Sequence, residues 1–130
     1  MRTPSLLAFG LMTISACVTE NATPTEADID ATRGAALFAQ DCAACHGAMG
    51  TGVIGPDLTT LSSRNGGAFP RDRVMATIDG LGRHEEAGGV MPEFGANGLG
   101  PTVIVEHDGL GTPVPADLLA LTAFLEEIQR

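Results

Sequence analysis

The chain has 130 residues, which fits one small domain with a limited hydrophobic core. It carries 16 acidic residues against seven arginines and no lysine, for a formal charge of −9. This charge argues against nucleic acid as a partner, because phosphate binding requires a basic face.

The first 16 residues predict a secretory signal peptide. One positive charge, at Arg2, precedes an apolar run from Leu6 to Ile14, and small residues follow. The run is too short to remain in a bilayer as a spanning helix. We therefore expect the mature protein to function outside the cytoplasm.

The signal ends in Ile14-Ser15-Ala16-Cys17, which resembles a bacterial lipobox. In signals of that type, the cysteine is lipidated on sulfur and becomes the new N-terminus. We predict that Cys17 is lipidated and that residues 17–31, which are polar and acidic, form a flexible tether. The alternative is ordinary cleavage near Ala16, which leaves Cys17 as a free thiol.

A helix is expected to begin near Asp30 or Thr32, since both are good N-cap residues. It opens a folded domain that we assign to residues 32–130. Gly34, Phe38 and Cys42 recur every four residues, so they share one face of this helix.

The helix leads into Cys42-Ala43-Ala44-Cys45-His46, whose C-x-x-C-H spacing indicates attachment of a c-type haem. Two cysteines at this spacing form thioethers to the two vinyl groups of one haem, and the next histidine becomes the proximal iron ligand. The alternatives are a thioredoxin-like redox pair and half of a zinc site. The first requires a βαβ unit, which the sequence lacks, and the second requires further ligands near His46.

Three stretches after the motif carry local structural signals. Gly55-Pro56-Asp57-Leu58 lies in a glycine-rich loop, and residues 59–63 are compatible with a short helical turn. Pro70 suits the first position of a helix that runs to about Asp79, with Gly80 as its stop.

The iron of an electron carrier needs a second axial ligand, which is usually methionine in cytochromes c. Met91 is the predicted ligand, because it lies in a glycine-rich loop where Pro92 restricts its backbone to an extended conformation. His84 is the main rival ligand and His107 a weaker one.

The last part of the chain predicts a β-hairpin followed by a helix. Residues 102–105 are β-branched, and an Asp-Gly turn separates them from residues 111–114. Leucines at helical spacing from Leu118 onward then predict an amphipathic closing helix, with Phe124 beside them.

Taken together, the C-x-x-C-H-G motif, Gly55–Leu58, Met91-Pro92 and the closing helix resemble small bacterial class I cytochromes c over residues 32–130. The resemblance implies an all-α class I fold around one covalent haem, with the hairpin as a small insert. It implies that the Pro56 carbonyl accepts the free ring N–H of His46 and that Leu58 packs on the haem. It also implies a close helix crossing, for which we expect Phe38 to meet Phe124.

We therefore expect a one-electron carrier with His46 and Met91 as iron ligands, and we do not expect it to be an enzyme by itself. We expect its lipid anchor to hold it at the periplasmic side of the cell membrane. Alternatives are a haem subunit of a larger dehydrogenase or oxidase complex, and a ligand-binding sensor or peroxidase if Met91 dissociates. The partners are a redox donor and an acceptor. Residues 17–130 hold six arginines and 16 acidic residues, a charge of −10, which favours partners with a basic docking face.

Overall fold

A computed structural model describes residues 29–81, 91–107 and 109–130 of the chain. The signal peptide, Cys17 and His84 lie outside these residues. The helices are α1 (Ala31–Asp41), α2 (Ala43–His46), α3 (Leu61–Arg64), α4 (Arg71–Asp79) and α5 (Ala116–Glu127). Strands β1 (Thr102–His107) and β2 (Leu110–Pro115) precede α5, and a 3-10 turn covers Gly95–Asn97.

Helix α1 begins where the N-cap signal predicts. The Asp30 side chain accepts a hydrogen bond from the Arg33 N–H at 2.9 Å, so Asp30 is the N-cap and Ala31 the first helical residue. Ile29 packs against Val103 and its neighbours. The last three residues of the range assigned to the tether are thus part of the folded domain.

The domain is built on the crossing of α1 and α5. At Gly34 the helices are so close that an added Cβ atom would lie 1.9 Å from the carbonyl oxygen of Ala120. One turn further on, the rings of Phe38 and Phe124 pack with centroids 5.1 Å apart, tilted by 49°. The expected contact of Phe38 with Phe124 is confirmed, and Gly34 is the position that permits it.

Helix α4 agrees closely with its prediction. Pro70 is the N-cap rather than the first helical residue, and Gly80 ends the helix in the left-handed conformation with φ +92°. Val74 and Ile78 are buried. The short helix α3 starts later than expected, at Leu61, because Thr59 is held by the side chain of Asp57 before it.

The predicted hairpin is present as an antiparallel pair in which Val103 faces Val114. One face packs on α5, where Val103, Ala116 and Leu119 form a small second core. The other face carries Ile104, which is 57% exposed. Leu110 shares a face with Val114 but lies at the turn end of the hairpin, where it is 73% exposed.

Helix α5 begins at Ala116, two residues earlier than predicted. The backbone N–H of Ala116 donates to the Pro101 carbonyl at 2.8 Å, and that of Asp117 donates to the Leu99 carbonyl at 3.0 Å. These bonds satisfy first-turn donors that have no partner within the helix, so the helix can start directly after β2. In the described part of the chain, no helix is long and apolar enough to cross a membrane.

Candidate functional site

One helical turn carries the three residues of the C-x-x-C-H motif. Helix α1 ends at Cys42, whose N–H donates to the Phe38 carbonyl at 2.9 Å. The N–H groups of Cys45 and His46 both donate to the Cys42 carbonyl, at 3.1 and 3.0 Å, and this forms α2. Residues three apart in a helix lie on neighbouring positions of one face, so the turn holds both thiols side by side.

The thiols of Cys42 and Cys45 are free, and Cys45 is exposed. Before haem is attached, burial raises the pKa of the Cys42 thiol to about 11, with a smaller contribution from the negative charge of Asp41. The unattached thiol is therefore neutral at pH 7. Conversion to a thioether removes the titrating proton without leaving a buried charge.

His46 is buried, with 7% of its surface exposed, and its orientation is set by one hydrogen bond. Its Nδ1 lies 3.0 Å from the Pro56 carbonyl oxygen. A carbonyl only accepts, so Nδ1 carries the proton and Nε2 is the nitrogen with a free lone pair. This is the usual state of a metal-ligating histidine.

The loop after the motif folds back over the histidine. The Cys45 carbonyl accepts hydrogen bonds from the N–H groups of Val53, Ile54 and Gly55, the last at 2.8 Å. Gly55 lies against the imidazole ring, because an added Cβ atom would be 2.6 Å from His46 Cε1. Only glycine fits here without moving the ring.

The segment after Met91 lies near the attachment site. A cavity of about 230 Å³ opens beside Cys42, and its apolar lining residues are Leu37 from α1, Leu121 from α5, and Phe94 and Leu99 from the segment between α4 and β1. Asp41, Asn97 and Asp117 add polar groups to the lining. The apolar part of this cavity fits a large, mainly apolar group attached at Cys42.

For the other predicted site residues, Met91 and Leu58, the structure gives their burial and their packing against the core. Met91 and Leu58 are both partly buried and pack against the main core. The structure therefore brings Cys42, Cys45, His46 and Pro56 together, with Leu58 two residues beyond. The backbone of His107 ends β1, paired with Leu110 in the hairpin.

The competing interpretations of the motif find no support in the described residues. The sheet there is a single antiparallel pair, whereas a thioredoxin-like site requires a βαβ unit. Within residues 29–81, 91–107 and 109–130, no group of three or more His, Cys, Asp or Glu side chains is placed to hold a metal ion.

Sequence reasoning missed the contacts that brace the loop from the far end of the chain. Arg130 Nε donates to the Thr59 hydroxyl at 2.9 Å, and Gln129 Nε2 donates to the Leu58 carbonyl at 2.8 Å. These partners are 71 residues apart in the chain. No local sequence pattern predicts such a contact, because polar residues at the end of a helix are usually solvated.

Two thiols and an oriented histidine on one turn, beside a partly apolar cavity, are what a protein needs to hold haem covalently, so the site defines a c-type haem protein. The family profile described as Cytochrome c matches residues 31–129. The chain belongs to this family, and its cofactor is one covalently bound haem c. The family points to electron transfer rather than catalysis.

Two curated proteins share local similarity with the chain. Photosystem II extrinsic protein V of Synechococcus sp. (strain JA-3-3Ab) is 39% identical over 77 residues, which cover 58% of this chain and 42% of that protein. A cytochrome c-553-like protein of Synechocystis sp. (strain ATCC 27184 / PCC 6803 / Kazusa) is 51% identical over 35 residues, which cover 27% of this chain and 33% of that protein. The chain thus spans less than half the length of either relative.

Proposed function

We propose that this cytochrome c is a one-electron carrier in which His46 and Met91 are the two axial ligands. The observation that carries the proposal is the 3.0 Å contact of His46 Nδ1 with the Pro56 carbonyl, which leaves Nε2 as the donor for iron. The haem, when bound, supplies the one-electron couple between ferrous and ferric iron.

The side chains of this protein do the positioning. Cys42 and Cys45 would hold the haem through two thioether bonds, and the α2 turn fixes His46 relative to both cysteines. Gly55 and Pro56 prevent rotation of the imidazole. With both axial positions filled by side chains of a packed domain, little has to move when an electron arrives or leaves.

Met91 is supported as the second ligand by its neighbours. Pro92 disfavours a helical conformation of Met91, and Met91 itself packs against the main core. Phe94, three residues later, lines the cavity together with Cys42. A thioether ligand raises the reduction potential, which suits a carrier that accepts electrons readily.

Replacement of Met91 tests this assignment. Met91→Ala should remove the weak sulfur-to-iron band near the red end of the ferric spectrum and lower the reduction potential. Met49→Ala is the matched control, because Met49 is 69% exposed and only three residues from His46, and it should change neither property. Loss of the band in His84→Ala instead would move the ligand assignment to His84.

A second candidate is a haem subunit of a larger assembly. It is favoured by two exposed apolar side chains of the hairpin, Ile104 and Leu110, and by the similarity to a protein named as extrinsic to photosystem II. Co-purification of the native protein from detergent-solubilised membranes distinguishes the two. Stoichiometric recovery with a fixed set of subunits indicates a complex, whereas recovery alone indicates a free carrier.

We further propose that the protein is tethered to the periplasmic side of the cell membrane through Cys17. A cysteine carrying two acyl chains on its sulfur, usually with a third on its amine, exceeds the two-signal threshold for stable attachment. The wild type should sediment with membranes. A variant with a soluble signal peptide and no Cys17 should be released with an unchanged haem spectrum, and a wild type found wholly in the soluble fraction would contradict the anchor.

The redox partners are proposed to present a basic docking face. The described residues include ten acidic side chains and five arginines. Three of the arginines, Arg64, Arg71 and Arg73, lie in α3 and α4, and Arg71 already pairs with Glu126 at 3.1 Å. A basic partner would be attracted to the acidic remainder of the surface and steered away from these arginines.

A further inference from the structure

The last three residues of the chain leave α5 and contact the loop that covers His46. Gln129 Oε1 accepts a hydrogen bond from the Ser62 N–H at 2.9 Å, while its Nε2 donates to the Leu58 carbonyl at 2.8 Å. The Arg130 N–H donates to the Thr59 carbonyl at 3.0 Å. The side chain of Ile128 packs against Gly50, where an added Cβ atom would lie 2.8 Å from Ile128 Cδ1.

Thr59 connects these contacts to the residues next to Pro56. Its hydroxyl accepts from Arg130 Nε at 2.9 Å and donates to Asp57 Oδ1 at 2.6 Å, which uses one lone pair and its single proton. The Thr59 N–H donates to the same carboxylate oxygen at 2.8 Å. Thr59 is 3% exposed, so water does not readily replace either partner.

Pro56 depends on its neighbours for its position. Proline has no N–H, so its own backbone cannot anchor the loop through a donor. On one side, Gly55 is held by its bond to the Cys45 carbonyl. On the other side, the Asp57 carbonyl accepts a hydrogen bond from Arg64 Nη2 at 2.5 Å, and the Leu58 N–H donates to the Gly50 carbonyl at 2.7 Å. The Asp57 carboxylate adds a third tie through Thr59, which in turn contacts Arg130.

We propose that Gln129 and Arg130 are positioning residues for His46. They hold residues 57–62 so that the Pro56 carbonyl stays on Nδ1, and this sets the donor strength of the imidazole toward iron. The proposal rests on the proposed ligation by His46. A hydrogen bond from the distal ring nitrogen makes a ligating imidazole more basic and favours ferric iron. Weakening the contacts of Gln129 and Arg130 with residues 57–62 should therefore raise the reduction potential.

The test compares Thr59→Val, which removes the hydroxyl without changing charge, with Thr59→Ser, which keeps it. Arg130→Gln removes the brace at an exposed residue beyond the end of α5. Arg71→Gln is its matched control, because Arg71 is also exposed and contacts α5 through Glu126, away from the loop. All are studied as holoproteins.

Two quantities are measured: the solvent exchange rate of the His46 Nδ1 proton, followed by NMR in the ferrous protein, and the reduction potential. We expect exchange to become about five- to tenfold faster in Thr59→Val and Arg130→Gln, the effect of one weakened hydrogen bond. Thr59→Ser and Arg71→Gln should stay near wild type. The reduction potential of Thr59→Val should be higher than that of the wild type. The reduction potential of Arg130→Gln should be higher than that of Arg71→Gln, and this comparison corrects for the loss of one positive charge in both variants.

The double variant Thr59→Val/Arg130→Gln tests whether Thr59 and Arg130 act on His46 through the same contacts or independently. If both residues act through one chain of contacts, the exchange rate in the double variant equals that in Thr59→Val alone, whereas independent effects multiply. Unchanged exchange and potential in both single variants, with lower thermal stability, would overturn the proposal and leave the contacts purely structural. Absence of a macrocycle ring-current shift on the wild-type His46 ring protons would instead refute the ligation by His46.

Discussion

Replacing Gly34 with alanine tests the helix crossing on which the haem-binding domain is built. The added Cβ atom would lie 1.9 Å from the Ala120 carbonyl oxygen and 2.8 Å from the Cβ atom of Phe124. The nearest obstacle is backbone, so no rotamer change relieves the overlap. Helices α1 and α5 would have to separate, which also loosens the contact of Phe38 with Phe124.

The expected cost follows from two opposing effects. Overpacking a well-packed contact costs about 1 to 3 kcal/mol, and a clash with backbone belongs at the upper end of that range. The higher helix propensity of alanine relative to glycine offsets about 1 kcal/mol of this cost. We expect a net loss of about 2 kcal/mol, which for a domain of this size lowers the melting temperature by about 8 to 16 °C.

Thermal unfolding of the ferric holoprotein, followed by far-ultraviolet circular dichroism, measures this loss. Ala36→Gly on the exposed side of α1 is the control, and it should lose only the propensity difference of about 1 kcal/mol. A Gly34→Ala variant that melts at or above the wild-type temperature would refute the close crossing.

Three further predictions concern the site and its surface. Gly55→Ala should displace the His46 ring and diminish the low-spin spectrum, whereas Gly66→Ala, in open space, should not; equal spectra would contradict the packing of Gly55 on the ring. The hydrogen bonds from Thr59 hold the pKa of Asp57 below its usual 3.8, so its contribution to stability is full above that pH and lost as pH falls through the lowered value. The difference in unfolding free energy between wild type and Asp57→Asn should therefore shrink in acid below pH 3.8, and a constant difference would contradict it. Oxidation by the native partner, measured by stopped flow, should slow as ionic strength rises, and a flat or rising rate would eliminate attractive steering.

Where local signals decide the structure, the sequence is sufficient to predict it. The Asp30 cap, the Gly80 stop and the β-branched run from Thr102 each act within a few residues, and each element forms close to its predicted place. The C-x-x-C-H spacing likewise indicates its cofactor from five consecutive residues, because the chemistry of attachment fixes the spacing.

The contacts that join distant parts of the chain were not predictable in this way. Arg33 pairs with Asp117 across 84 positions, and the brace from Arg130 to Thr59 spans 71. In both cases the sequence shows only charged or polar residues on helices, which are usually solvated. The early start of α5 has the same origin, since its first N–H groups bond to the carbonyls of Leu99 and Pro101 in a preceding loop.

Carbon monoxide binding by the ferrous wild-type protein tests the central claim most directly. If His46 and Met91 occupy both axial positions, the ferrous protein should not bind carbon monoxide at neutral pH, and Met91→Ala should bind it readily. A wild type that binds carbon monoxide as readily as the variant would contradict the electron-carrier account and favour a ligand-binding haem protein.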